Sequence, residues 1–415
     1  MKRIILYFLS AFCCAVLLTV GVYSYFFRNK ETIKVGVLHS MTGTMASSER
    51  PVVDAVLMAI DEINEKGGLL GCQIEPIVVD GKSNWSTFAQ QAEWLITEEK
   101  AQVIFGCWTS ASRKEVKPIV EKYNNLLFYP VQYEGAESSS NIIYTGATSN
   151  QQIFPGVNWS YDNLGKKFYI VGSDYVYPRI AGIIMREQLN SLDAEILGEQ
   201  YFVLGTQDVQ DIVQDIKIKQ PDVILNNING DTNGYFFKAL REAGITSDKI
   251  PTMSFSIAEA ELQQMDISLT IGDYAVWSYF QSIDSQINKD FIKNFQEQYG
   301  KDRVITDPME AAYFGVYLWS RAVFLAQSSD PEKVIDKIAS QSKKAPEGII
   351  YTDGFNHHTW KYSRIGKVNS QGQFDIQWSS EKAIYPVVYP YKSSDEWNDI
   401  LNNLYQQWGG KWAKE

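Results

Sequence analysis

Between residues 33 and 128 the chain alternates short apolar runs with amphipathic helical stretches, and this rhythm restricts the fold more than any other feature. Ile33-Lys34-Val35-Gly36-Val37-Leu38 reads as a strand, and it exits into His39-Ser40-Met41-Thr42-Gly43-Thr44. Behind it Val53, Val56, Leu57, Ile60 and Ile63 recur at helical spacing, with Ser48 as the expected N-cap and Gly67-Gly68 as the stop. Residues 74–79, 103–105 and 126–128 read as further strands, separated by helices at 88–97 and 112–123. Strands alternating with helices imply a parallel sheet covered on both faces. The rhythm resumes at 167–171, 177–189, 208–218, 222–225 and 233–243, so two similar lobes are expected. Helical stretches at 289–299 and 308–326 read as returning to the first lobe, and residues 394–408 as an amphipathic tail helix stopped by Gly409-Gly410.

The 415 residues suffice for two domains with full cores. At the start, Lys2 and Arg3 precede an uncharged run of 24 residues from Ile4 to Phe27, and Arg28 and Lys30 follow it. As a helix that run spans about 36 Å, enough for a bilayer core of roughly 30 Å. Signal-peptide apolar regions are shorter, about 7–15 residues. Residues 1–32 therefore read as an uncleaved membrane anchor with the body outside the cytoplasm. A cleaved signal peptide, at Val22-Tyr23-Ser24, is the alternative. Lipidation at Cys13 or Cys14 is a third reading, against which stands the preceding residue, Phe12 or Cys13, where a small one is usual. The net charge of −11 and the lack of any Lys/Arg-rich run argue against nucleic acid. In the body only Cys72 and Cys107 remain. They fall on the second and third strands, which a doubly wound order does not place side by side. A disulfide needs Cα atoms within about 7 Å, so two buried free thiols are expected.

Phe105 to Lys114 reads as a strand exit into a hydroxyl-rich turn and a helix, and Phe128 to Gly135 as a second exit dense in aromatics. Open α/β sheets bind ligands at such carboxyl edges. Ser110 can simply cap its helix, or it and the free helix N–H groups can grip a ligand carbonyl. Tyr129, Tyr133, Tyr175 and Tyr177 all sit at or just after strand exits. There is no Gly-x-Ser-x-Gly elbow, and Gly81-Lys82-Ser83 lacks the glycine a phosphate loop needs at position 76, which is Pro. His357 and His358 are adjacent and would face opposite sides of a strand, which suits no metal. Without a nucleophile–base pair or metal cluster, the chemistry is capture rather than conversion, and an amidohydrolase is disfavoured.

Gly106 to Lys114, Tyr129 to Gly135, Gly172 to Arg179, Asn229-Gly230-Asp231, Asp307 to Tyr313 and Asn356-His357-His358, taken together and in order, resemble the urea-binding proteins of bacterial ABC transporters. The likeness covers about residues 33–385. It extends to short-chain amide-binding and branched-chain amino-acid-binding relatives, all type I periplasmic binding folds. It implies two doubly wound α/β lobes joined by a three-strand hinge. The lobes are expected at 33–149 with 279–345 and at 150–278 with 346–390, and the tail at 391–415. It implies a site in which Ser110 and the backbone of Ala111 hold a ligand oxygen, Tyr129, Tyr133 and Tyr177 wall the pocket, and Tyr175 and Asp231 complete it. Trp108 would fill the space of an amino-acid side chain, and Gln132 would touch ligand or support the wall. No cofactor is implied. The partners implied are urea or a short amide, permease subunits, and the membrane through the N-terminal segment. A short-chain amide binder and a tethered sensor module are the alternatives. Two departures stand out: the leader has no clean lipobox or cleavage site, and Cys72 stands where a polar or basic residue is expected.

Overall fold

A computed structural model describes residues 32–414. The first sheet contains β1 (Ile33–His39), β2 (Ile74–Asp80), β3 (Ile104–Gly106), β4 (Leu127–Tyr129) and β5 (Ile142–Tyr144). Their order is β2-β1-β3-β4-β5 and every pairing is parallel. Val35, Val37 and Leu38 are all fully buried, because helices cover both faces of the sheet. Those helices are α1 (Ala46–Glu65), α2 (Trp85–Thr97) and α3 (Ser110–Lys122). Side chains set two of their starts: Asn84 caps α2 by accepting from Thr87 N, and Thr109 caps α3 by accepting from Ser112 N. Ser48 is not the cap expected of it. It lies inside α1, and its hydroxyl donates to Glu261 Oε1 at 2.6 Å, an acceptor on the second lobe.

The second lobe follows as α4 (Ser149–Asn163), β6 (Lys167–Ser173), α5 (Val176–Ser191), β7 (Glu195–Phe202), α6 (Gln210–Lys219), β8 (Val223–Asn227), α7 (Thr232–Glu242), β9 (Thr252–Ser254), α8 (Glu259–Leu262) and β10 (Tyr274–Trp277). Its strands order as β7-β6-β8-β9-β10 and run parallel. The chain then returns to the first lobe through α9 (Gln286–Tyr299), α10 (Asp307–Ala326) and α11 (Pro331–Ile338). Phe314, Leu318, Trp319 and Ala322 of α10 are buried in the first core. A small antiparallel sheet of β11 (Ser342–Ala345), β12 (Gly348–Thr352) and β13 (Thr359–Trp360) comes next. The sequence reading moves the chain to the second lobe after residue 345. Strands β11 and β12 pair across that position, and Ala345 and Ile350 both lie in the first core. Only at β14 (Arg364–Val368), antiparallel to β10, and β15 (Phe374–Ser379), antiparallel to β14, does the chain join the second sheet. Helix α12 (Ser394–Gln407) then buries Trp397 and Leu401 in the second core.

A buried ionic group ties the crossings between the lobes together. Lys361 Nζ lies 2.9 Å from Glu347 Oε2 and 4.0 Å from Asp307 Oδ1, and it donates to Thr145 O at 3.2 Å. Asp307 Oδ2 accepts from Ser278 N and Tyr279 N at 2.9 and 2.8 Å. Arg364 donates to the carbonyls of Ser278 and Glu347. The strand exits of all three crossings thus share one set of charges.

Cys72 and Cys107 are free thiols. Their strands, β2 and β3, flank β1 rather than each other. Cys107 is buried as expected, whereas Cys72 is only partly buried, in the turn before β2 rather than on the strand. The expected N-terminal anchor lies outside the described residues. Among the described residues no helix is long and apolar enough to cross a membrane.

Candidate ligand-binding site

Strand β3 ends at Gly106, and Cys107 takes a left-handed φ of 68° that turns the chain into α3. Thr109 uses its side chain on Ser112 N, so the N–H groups of Ser110 and Ala111, in the first turn of α3, have no intrahelical partner. They carry the positive end of the helix dipole into the space between the lobes.

The Ser110 hydroxyl is otherwise engaged. It donates to Glu134 Oε2 at 2.5 Å and accepts from Arg113 Nη1 at 3.0 Å. Arg113 also reaches Glu134 Oε1 at 3.2 Å and Glu137 Oε1 at 2.8 Å, and Lys114 reaches Glu137 Oε2 at 2.7 Å. All four charged residues are buried. Buried ions persist only when paired and hydrogen-bonded, and here two cations meet two anions. Burial works against the Arg113 charge, but Glu137 and Glu134 hold its pKa well above the ordinary value. Burial would also raise Glu137. Lys114 and Arg113 outweigh it and hold the carboxyl well below the usual range.

Aromatic rings form the bed of this group. The Arg113 guanidinium lies 4.7 Å from the Tyr129 ring centre and 4.4 Å from that of Tyr133. Tyr129 donates to Trp108 O at 2.6 Å, and Tyr133 donates to Glu137 O at 3.0 Å and meets His358 Nε2. Tyr133 stacks on Tyr144 at 4.9 Å, and Tyr144 stacks on His358 at 4.1 Å. Burial pushes His358 down to about 3, so the imidazole is neutral.

The second lobe brings Tyr175 and Tyr177 from the exit of β6, both buried. Tyr177 lies beside Gln132, and burial keeps its phenol protonated. Gln132 Nε2 bridges the lobes by donating to Phe255 O at 2.9 Å. Gln132 and Tyr177 lie within reach of each other, yet by strict geometry Gln132 Oε1 and the Tyr177 hydroxyl have no hydrogen-bond partner among the described residues, although both are buried. Ala111 and Ala136 of the first lobe are buried in the second core, so the lobes are closed on one another.

Eight of the nine residues expected at the site thus lie buried: Trp108, Ser110, Ala111, Tyr129, Gln132, Tyr133, Tyr175 and Tyr177. Tyr129 and Tyr133 spend their hydroxyls on the scaffold. Asp231 stands apart from them. It is exposed at the rim, beside Thr44, in a groove of about 350 Å³ shared with Ser47, Lys238 and Glu261. The sequence reading gave no role to Arg113, Glu134 and Glu137, and beyond its place in the family likeness it weighed His358 as a metal ligand. Their signal was charge placed inside otherwise uncharged, aromatic strand exits. No group of three His, Cys, Asp or Glu side chains suited to a metal occurs among the described residues.

The sequence matches the periplasmic binding protein domain over residues 33–395. The chain belongs to the periplasmic binding protein family. As a periplasmic binding protein it binds rather than transforms its solute. It is 22% identical over 346 residues to Leu/Ile/Val-binding protein homolog 6 of Brucella abortus, covering 79% of this chain and 85% of that one. A shorter stretch of 113 residues is 37% identical to a limonene hydroxylase of Geobacillus stearothermophilus, but it spans only 27% of this chain and 21% of that protein. Among solved structures, an ABC-transporter solute-binding protein from Rhodopseudomonas palustris HaA2, in complex with p-hydroxybenzoic acid, superposes with a TM-score of 0.78. It is 23% identical, with 87% of this chain and 99% of that one covered. A branched-chain amino-acid transporter protein from Streptococcus pneumoniae, bound to isoleucine, gives 0.75 at 22% identity and coverage of 84% and 99%.

Proposed function

We propose that this periplasmic binding protein captures urea outside the cytoplasmic membrane and delivers it to the permease of an ABC transporter, with residues 1–32 holding it to that membrane. The observation that carries this reading is the state of Arg113. Both its carboxylate partners are in place, so Arg113 itself is not free to pair with an acidic ligand. The Ser110 proton already belongs to Glu134, which puts an anion beside the helix start. A benzoate or an amino-acid carboxylate would be placed next to that anion. A neutral molecule with several N–H groups and one carbonyl suits the site instead. Its oxygen would take the Ser110 and Ala111 N–H groups, and its own N–H groups would meet Gln132 Oε1 and the Tyr177 oxygen. Trp108, almost fully buried, keeps the space small.

Isothermal titration of the purified full chain with urea, acetamide, formamide, leucine and 4-hydroxybenzoate in parallel tests this. A ligand with four heavy atoms, at a ceiling of about −1.5 kcal/mol each, binds with a dissociation constant on the order of tens of micromolar at the tightest. Saturable urea binding no tighter than that, with silence from both carboxylates, is expected. Heat from acetamide alone would reassign the protein to short amides, and heat from a carboxylate would overturn the charge argument.

A further inference from the structure

The chain does not end at its tail helix. After α12 the left-handed pair Gly409-Gly410 turns it back toward the site. Trp412 O accepts from Val176 N at 3.0 Å, and Lys414 N donates to Asp174 O at 2.9 Å. Tyr175 and Ala413 pair as an antiparallel bridge between these bonds. Val176 is the first residue of α5, so its N–H is a donor with no partner in its own helix. The tail supplies that partner, and by doing so it fixes the backbone from which Tyr175 and Tyr177 project.

The same tryptophan reaches the other lobe. Lys114 Nζ stands 4.8 Å from the Trp412 ring centre, and the other face of the matter is Tyr405, whose ring packs against Trp412 at 4.6 Å. Lys114 belongs to the helix that starts at Ser110, and its ammonium is bound to Glu137. The segment leading into the tail also touches the first lobe. Ala136 N donates to Val388 O at 2.7 Å, and the neighbouring Gly135, at φ 78°, lies so close that a Cβ would come within 2.5 Å of that oxygen. Residue 388 thus holds the backbone between Glu134 and Glu137, and residue 412 holds the second-lobe loop.

We infer that Trp412 is a positioning residue for the ligand site: its carbonyl sets the Tyr175–Tyr177 loop, and its ring latches onto Lys114 when the lobes close. This rests on the reading of the site as a solute trap, but not on the solute being urea. A cation over a ring contributes to the closed form alone, so losing it should speed solute release. At the strength usual for such contacts, release should quicken about threefold to thirtyfold.

The test uses the full chain carrying Trp412→Ala or Trp412→Phe. Stopped-flow urea association and dissociation are read beside the guanidinium midpoint of the free protein. The expected result is faster dissociation in W412A with association and midpoint little changed, and recovery in W412F. Unchanged dissociation, or a loss that follows the midpoint and is not restored by W412F, would overturn the latch. If the parent protein takes no urea, the functional reading fails and a second arm decides the latch. Paired spin labels on the two lobes report their separation without ligand. A smaller closed fraction in W412A supports the latch, and an identical distribution overturns it.

Discussion

The hydroxyl of Ser110 gives its proton to Glu134, 2.5 Å away, and not to the space between the lobes. The residue that looks from sequence like a ligand donor is the middle of a chain running from Arg113 through Ser110 to Glu134. A ligand bound at this point would meet the helix backbone and a lone pair.

Ser110→Ala should therefore weaken the protein and the site together. It leaves one Arg113 N–H and one Glu134 oxygen unpaired in a buried place, at a cost of about 1–3 kcal/mol. Guanidinium melts should show this (urea melts would report ligand binding as well). Urea affinity should fall roughly tenfold, one hydrogen-bonded contact's worth. Normal stability and normal affinity would mean that the Ser110–Glu134 bond has no part in ordering the helix start.

Trp108→Ala should widen the solute range. The Trp108 carbonyl that holds Tyr129 is backbone and survives the change. Its side chain, almost fully buried, leaves a void and a stability loss of about 3–5 kcal/mol. Calorimetry with butyramide should detect binding that the parent lacks, with urea binding reduced. Continued refusal of the longer amide would show that Trp108 does not set the size limit.

Glu259 makes stability depend on alkali. Burial raises its pKa from 4.5 to about 8, against the pull of the Gln281 N–H it accepts at 2.8 Å. The folded protein holds this proton longer than the unfolded chain does. The contribution is present in full below pH 4.5 and is lost as pH rises towards 8. Glu259→Gln should melt progressively higher than the parent, by ~5 °C or more, as pH goes from 5 to 9. A pH-independent difference would place the ionisation elsewhere.

His358 acts in the opposite direction. Burial lowers it from 6.5 to about 3, between the Tyr133 hydroxyl and the Asn356 carbonyl. Its contribution is present above pH 6.5 and is lost as pH falls towards 3. His358→Gln should flatten the acid limb of a melting-temperature profile over that range. A parallel downward shift at every pH would mean that only packing had been lost.

The long elements of the fold were legible because they repeat a pattern. Val53, Val56, Ile60 and Ile63 mark α1 without help from the rest of the chain, and all are buried. The three-residue strands β5 (Ile142–Tyr144) and β9 (Thr252–Ser254) were not read, while β3 and β4, equally short, were. Strand β7 escaped because it is a half-exposed edge with Glu195, Glu199 and Gln200 among its residues. At the site, residue types at strand exits pointed to Tyr177, and the family resemblance pointed to Trp108 and Gln132. The role of Ser110 did not follow, because Glu134 lies 24 positions away and only folding brings it within reach. Asp231 was misplaced for the same reason, since a loop residue's direction is fixed by what packs beneath it.

The charged group of Asp307, Glu347, Lys361 and Arg364 has a mechanical meaning. All three connecting segments are gripped at one dry point, through Thr145, Ser278 and Lys361. Sliding one segment past another would strand an ion without its counterpart, which opposes shear and favours twisting about this point. Lobes that turn about one such pin are expected to close to one depth, so that choice among solutes falls to the lining of the pocket.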